Sequence, residues 1–315
     1  MALPHFLRRS PQGIGVACAI GATMLGGVYL ALAGAPTQLI GVNLAALVLG
    51  LTGLVALRHS ANALRGMAGF AMLLAALAML ATPAIGETAE GASRWVALGP
   101  LFVQPSLILL PLIVVGFLHR RSVVATLAML VAALAMALQP DRAMAGVLVV
   151  GLAAQVLVRP DRHATVALTG SLAAFLVALT RPDTVPAMPY VEQIYFTAFE
   201  VGLLAGLAVI GGTVLLLVPP LAIARLAPEQ RPTGLVFATV WLAMIAAALL
   251  GNYPTPVVGY SGAAVLGYVL SLIALPGTPS PSRRPTGFVP EQDQGQHRGQ
   301  QDSGNEGLNL APVSP

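Results

Sequence analysis

The sequence predicts an all-α integral membrane protein of about ten transmembrane helices, with both termini cytoplasmic, and three observations carry that prediction. Of 315 residues, 57% are hydrophobic and only 9% are charged, whereas a soluble domain carries about a quarter charged residues. Apolar runs close to the ~20 residues that cross a bilayer recur at about 13–35, 38–57, 66–82, 101–118, 122–138, 143–158, 164–180, 194–218, 233–252 and 257–275. The basic residues are all arginine, and they fall on one side. Counting spans from a cytoplasmic N-terminus leaves only Arg94, Arg142 and Arg181 in outer loops, with the other arginines inside or in the tail, as the positive-inside rule requires.

Taken in order, residues 1–12 form a cytoplasmic N-terminus whose Arg8 and Arg9 precede the first span. Ala33-Gly34-Ala35 imitates a signal-peptide cleavage site, but the apolar run exceeds 20 residues and Pro36 follows it, so the first span is expected to be retained. Arg58 and Arg65 flank the inner turn between spans two and three. Spans five and six are short and rich in Ala and Gly, separated only by "QPDRA". The eighth span opens after "RPDTVPAMPYVEQ" and carries Glu200 about two turns in. The tenth begins with "NYPTPVVGYSGAA", whose small residues suit close helix packing. Beyond Pro276 the composition turns to Pro, Gly, Gln and Ser, so residues 277–315 are expected to be a disordered cytoplasmic tail after the 13–276 membrane domain.

Several function classes fall away. The sequence pI of about 9.7 reports membrane topology and gives no reason to expect nucleic-acid binding. Cys18 is the only cysteine, so no disulfide framework exists. No Walker loop is present, and His5, His59, His119, His163 and His297 all fall on the inner side or in the tail. No metal site or cofactor is implied, although a divalent cation is left open.

Four polar clusters remain, all expected at the outer face. They are Arg94 and Trp95 with Gln104, Pro105 and Ser106; Gln139 to Arg142; Asp183, Glu192 and Glu200; and the stretch around Tyr260. Trp and Arg can serve as interfacial anchors, or Arg94 can hold a phosphate through two donors. "QPDR" reads as a tight turn or as a source of Asp141 for an ion pair with Arg94 or Arg142. A carboxylate at the depth of Glu200 calls for a partner or a raised pKa.

In order and spacing, the clusters resemble the motifs of the SEDS family (shape, elongation, division and sporulation). "GASRWVALGPLFVQPS" resembles its Gly-x-x-Arg-Trp-Ile, Gly and Gln-Pro-Ser-Glu pattern between spans three and four. "LQPDRAMAG" resembles Gln-Pro-Asp-Leu-Gly-Thr, "FEVGLLAG" the Glu-Glu-Leu-Gly of the eighth span, and "PTPVVGYSGAA" the Pro-x-Pro-Phe-x-Ser-Tyr-Gly-Gly-Ser-Ser of the tenth. The resemblance covers about residues 10–276 and implies a SEDS-like bundle in a bacterial inner membrane. It also implies a protein of cell-wall synthesis, division or shape that polymerises lipid II glycan strands outside the membrane beside a class B penicillin-binding protein transpeptidase.

The chain departs from the pattern where the family's chemistry lies. The family's catalytic aspartate sits in the outer loop before span eight, within Thr-Asp-Phe-Ile-Phe; here counting from Pro189 places Ile194 at that position. Glu192 and Asp183 are the nearest substitutes for a catalytic carboxylate. Arg94, Trp95, Gln104, Ser106, Asp141, Arg142, Glu200 and Tyr260 are the expected cavity or substrate residues. Leu107 stands for the motif glutamate, Leu110 for a lysine that often follows, and Arg142, Ala143 and Met144 for Leu-Gly-Thr; Gly259, Ala263 and Ala264 replace three serines. Two other readings stay open: a non-catalytic SEDS-like protein that binds a lipid-linked precursor or a transpeptidase, and a lipid flippase or unrelated polytopic transporter.

Overall fold

A computed structural model describes residues 10–277 except Glu90, Pro100, Asp183 and Thr184, with backbone alone for 61–65 and 87–89. The expected tail, apart from Gly277, lies outside the described residues. The chain runs α1 (Pro11–Leu32), α2 (Thr37–Leu64), α3 (Ala68–Ile85), β1 (Glu87–Ala89), β2 (Ala92–Leu98), β3 (Leu101–Val103) and α4 (Pro105–Phe117). It continues through α5 (Val123–Leu138), α6 (Arg142–Val158), α7 (Arg162–Leu179), α8 (Ile194–Val201), α9 (Leu203–Leu216), α10 (Val218–Leu226), α11 (Arg231–Leu250) and α12 (Gly262–Ser271).

Five helices, α1, α5, α6, α7 and α12, start where a short polar residue offers a cap. Ser10, Ser122, Asp141, Asp161 and Ser261 each accept a backbone N–H from three residues on, which satisfies a donor that the first helical turn leaves free. In lipid such caps matter more, because no water reaches an orphaned N–H.

Six helical stretches, 11–32, 37–60, 68–85, 162–179, 203–226 and 228–250, are long and apolar enough to cross a membrane. Helices α4, α5 and α6 and the stretch 262–274 are apolar but shorter. The 13 residues of α4 rise only about 20 Å, short of the ~30 Å hydrocarbon core. They can be short because protein surrounds them: Leu110, Val114, Phe117, Met136, Leu148 and Tyr268 are all fully buried. Helix α4 packs on α12 and α3, α5 on α3 and α7, and α6 on α11 and α7, while α1 packs on α9 and α2 on α12.

Two buried glutamines tie this core by bonding helix carbonyls across elements. Gln139 Nε2 donates to Met79 O at 2.6 Å, and Gln155 Nε2 to Val114 O at 2.7 Å. Tyr268 sits edge-on to Trp241 and Phe237, with centroids 4.8 and 5.7 Å away, and its hydroxyl donates to Leu216 O. On the Gly-rich tenth span, Gly267 is where α12 meets α4 backbone to backbone: a Cβ there would lie 2.1 Å from Leu107 O.

The helical membrane fold expected from the sequence is present, with two differences. Residues 101–103 do not begin the fourth span. They form β3, which pairs antiparallel with β2, itself paired with β1, in a three-stranded sheet at the outer end. The expected eighth span is two helices, because Gly202 adopts φ 153° and ψ 162° and interrupts the ladder between α8 and α9; only glycine takes that backbone freely.

Candidate functional site

The sheet, the start of α4 and the α5–α6 turn meet at the outer end of the bundle. Asp141 ends the turn, is fully buried and caps α6, its Oδ1 accepting from Met144 N at 3.0 Å. Its Oδ2 accepts from Gln104 Nε2 at 2.8 Å and from Ser106 Oγ at 3.4 Å. Gln104 also donates to Ser106 Oγ at 3.1 Å. Pro105 occupies the first turn of α4, where the missing N–H costs nothing. That turn carries Gln104 and Ser106 to one side, facing the carboxylate.

Arg94, on β2, is 3% exposed and donates from Nη2 to Pro140 O at 2.5 Å. Its guanidinium carbon lies 6.0 Å from the Trp95 ring and 5.8 Å from the Tyr253 ring. Arg94 therefore ties the sheet to the turn that holds Asp141. The ion pair expected between Asp141 and an arginine does not form among the described residues: the carboxylate takes neutral donors, and Arg142 Nη2 turns away to Arg181 O. Neutral donors suit a buried carboxylate because they add no second charge to desolvate.

Around Asp141, a depression is lined by Gln104, Leu107, Met144, Met244, Tyr253 and Pro254, among others, and offers about 10 Å³, roughly room for one water. Leu107 and Leu110, where the SEDS pattern has charged residues, are 5% and 0% exposed in the core. The floor of the site is apolar.

A second group lies in the loop before α8. Glu192 is 6% exposed and accepts from Met188 N at 2.7 Å. Tyr190 O and Val191 O accept from Tyr260 N and Thr255 N at 2.7 and 2.9 Å, and Gln193 Nε2 donates to Asn252 Oδ1 at 2.7 Å. Residues 252–260 thus connect the two groups, since Tyr253 and Pro254 line the depression while Thr255 and Tyr260 hold the Glu192 loop. Ile194, at the counted aspartate position, is fully buried, and its Cδ1 would meet a Cβ at Gly259. Asp183 lies outside the described residues.

Glu200 joins neither group. It is exposed on α8, whose Ile194, Tyr195 and Ala198 face inward, and no partner for it is found among the described residues. The reason is phase: α8 ends at Gly202, so Glu200 falls on the outward face of a two-turn helix.

Asn43 was not anticipated. It is 2% exposed in α2, donates to Gly259 O at 2.8 Å and accepts from Ser261 N at 3.2 Å. A lone amide inside "GVNLAALVL" was the available signal, because polar groups at membrane depth are expensive and rarely idle. Asn43 also lines an open, mostly apolar groove of about 270 Å³ between α1 and α2, with Thr23, Met24, Gly27 and Ile40.

These features define a polytopic α-helical membrane protein with a polar constellation at its outer end. No protein-family model matches the chain, and no curated protein matches its sequence. Its fold is similar to that of Thermus thermophilus rod shape determining protein RodA, with TM-score 0.59 and 23% identity over 86% of this chain and 96% of that one. A point mutant of the same RodA gives TM-score 0.59 and 23% identity over 82% and 94%. A chain from a structure described as "Structural coordination of polymerization and crosslinking by a peptidoglycan synthase complex" gives 0.56 and 22% over 82% and 96%. At such identities the likeness is one of fold, and the SEDS-like bundle expected from the sequence is borne out at that level.

Proposed function

We propose that this chain is a divergent SEDS-like membrane protein of peptidoglycan synthesis and cell shape, in a bacterial inner membrane. Its outer-end site would receive a polyprenyl-linked precursor such as lipid II beside a class B penicillin-binding protein. One observation carries the reading. Residues from the first two SEDS-like motifs meet around Asp141, and the last motif links that site to the loop before α8, on a fold similar to RodA's. The groove between α1 and α2 offers a lipid chain an apolar flank that ends on Asn43, and so on the same outer loop.

The depression at Asp141 holds about one water, so precursor sugars would occupy the surface above it and not the depression itself. Arg94, committed to Pro140 O, sets the shape of that surface. Binding is tested with purified protein and lipid II in nanodiscs, against a lipid bearing the same polyprenyl chain without pyrophosphate or sugar. Saturable retention of lipid II alone supports the reading; equal retention of both lipids overturns it.

A second reading, glycan polymerisation, is favoured by the Glu192 carboxylate in the loop where the family's aspartate lies. In that reaction an acceptor hydroxyl gives its proton to the carboxylate as its oxygen bonds the donor's anomeric carbon. The bond from that carbon to the pyrophosphate oxygen breaks, and polyprenyl pyrophosphate leaves. Wild type, Glu192→Ala and Asp183→Ala are compared for glycan product with candidate transpeptidases. Product lost in one variant supports catalysis; no product from wild type with any partner refutes it and leaves the binding role.

A further inference from the structure

The inner end of the bundle, opposite Asp141, carries a different constellation. The α4–α5 loop (118–122) and the α6–α7 loop (159–161) come together there. The ion pair Arg121 Nε to Asp161 Oδ2 at 3.6 Å joins them, as does the Thr126 Oγ1 to His163 Nδ1 contact at 2.9 Å just inside. These loops and the first residue of α7 supply four guanidiniums, Arg120, Arg121, Arg159 and Arg162, against the single carboxylate of Asp161.

Arg121 is the unusual member. Its side chain is 7% exposed and its guanidinium carbon stands 4.5 Å from the Phe117 ring centroid. Neither Nη1 nor Nη2 finds a hydrogen-bond acceptor among the described residues. Its one counter-ion among the described residues shares itself, because the other oxygen of Asp161 caps α7 at Ala164 N. A buried guanidinium with its fork unused costs free energy unless something with several acceptor oxygens completes it.

Apart from Asp161, the charges that act on this cluster are positive. The N-termini of α5 and α7, helices of 16 and 18 residues, both open toward these loops and present the positive ends of their dipoles. Burial, then Arg159, Arg120 and Arg121, hold the His119 imidazole below its ordinary range, and Arg159 likewise works against the charge on Arg121. The positive-inside rule explains why arginines lie in these loops. It does not explain why one is buried with idle donors while another is placed against it.

We propose that the two loops form a phosphate site at the inner membrane surface, taking the phosphate of an anionic phospholipid headgroup or a soluble phosphate. Arg121 supplies the buried, oriented donor pair beside Phe117, and the exposed Arg120 and Arg159 close on the anion from the solvent side. Basic pockets between transmembrane helices at headgroup level take anionic lipids by the same chemistry.

The test uses the full chain in detergent micelles. Native mass spectrometry counts retained phosphatidylglycerol against phosphatidylcholine, and thermal unfolding is followed with and without inorganic phosphate. Wild type should retain phosphatidylglycerol selectively, and Arg120→Gln/Arg159→Gln should weaken retention about thirtyfold, from two arginines near the surface. Arg225→Gln, an exposed inner arginine on α10, should leave retention unchanged. Arg121→Gln should lose selectivity as well; if it fails to fold, the exposed double variant still decides. Stabilisation by inorganic phosphate that the double variant abolishes, without lipid selectivity, assigns the site to a soluble phosphate. Equal retention of both lipids with no response to phosphate, or equal losses in the double variant and Arg225→Gln, overturns the proposal.

Discussion

Asp141 and Gln104 should be energetically coupled, and the size of the coupling follows from their contacts. Asp141→Ala removes the α6 cap, worth about 1 kcal/mol. It also leaves the hydroxyl of buried Ser106 without its acceptor, at about 1–3 kcal/mol for a buried polar group left unpaired, while Gln104 Nε2 keeps Ser106 Oγ. The single variant should therefore cost about 2–4 kcal/mol. Gln104→Ala alone should cost about 1–2 kcal/mol, because it takes one of three donors from a buried carboxylate. Once Asp141 is gone, Gln104 keeps only its bond to Ser106 Oγ, so the double variant should fall short of the sum by about 1 kcal/mol or more. Equilibrium unfolding in mixed micelles across the four proteins measures this. Additivity within about 0.5 kcal/mol would refute the carboxylate–amide contact. Arg142→Gln is the contrasting arm: Arg142 bonds Arg181 O, so with Asp141→Ala it should be additive within that same margin of about 0.5 kcal/mol.

Gly267→Ala should destabilise by about 1–3 kcal/mol through overpacking, since the new methyl falls on Leu107 O, whereas at Gly262 the nearest atom is 3.2 Å away; thermal unfolding ranks the two. Asn43→Ala should speed amide exchange at Ser261 and in residues 252–260, because its side chain holds Gly259 O and Ser261 N; unchanged exchange there would contradict a positioning role. Glu200→Gln should leave stability within about 0.5 kcal/mol, as for other exposed sites, with Glu200 exposed on α8. The His119 imidazole, facing Arg159, Arg120 and Arg121 and touching Thr233, should titrate below 6.5. With the folded value below the unfolded one, the unfolded chain takes up the proton first. Stability should thus fall as pH drops below about 6.5, and His119→Gln should flatten that slope.

Composition and run length made the membrane domain legible, because every apolar run of the sequence contains a helix, although 101–103 and 257–261 lie outside one. The sheet was not, since "LFV" before Gln104-Pro105 reads equally as the first turn of a span. The clue was Pro105, a first-turn residue that places the helix start after Leu101–Val103. The convergence of Arg94, Gln104, Ser106 and Asp141 was foreseeable as a shared outer location, but not its electrostatics. An Asp followed by Arg suggests an ion pair, while here the aspartate caps α6 by accepting from Met144 N and Arg142 bonds Arg181 O instead. Glu200 shows the limit of counting turns along an apolar run, because a break at Gly202 resets which face a residue occupies. Asn43 needed only a different weighting, one polar group in a span of aliphatics.

The two bonds that Tyr190 O and Val191 O accept from Tyr260 N and Thr255 N bear on how this protein can be exchanged with homologues. Each loop is the other's hydrogen-bond template. A chimera importing a longer loop before α8 alone strands two buried-side donors, and one importing only 252–261 strands two acceptors. Grafted together, the pair brings its own ladder, so these two distant stretches of sequence are heritable as one unit.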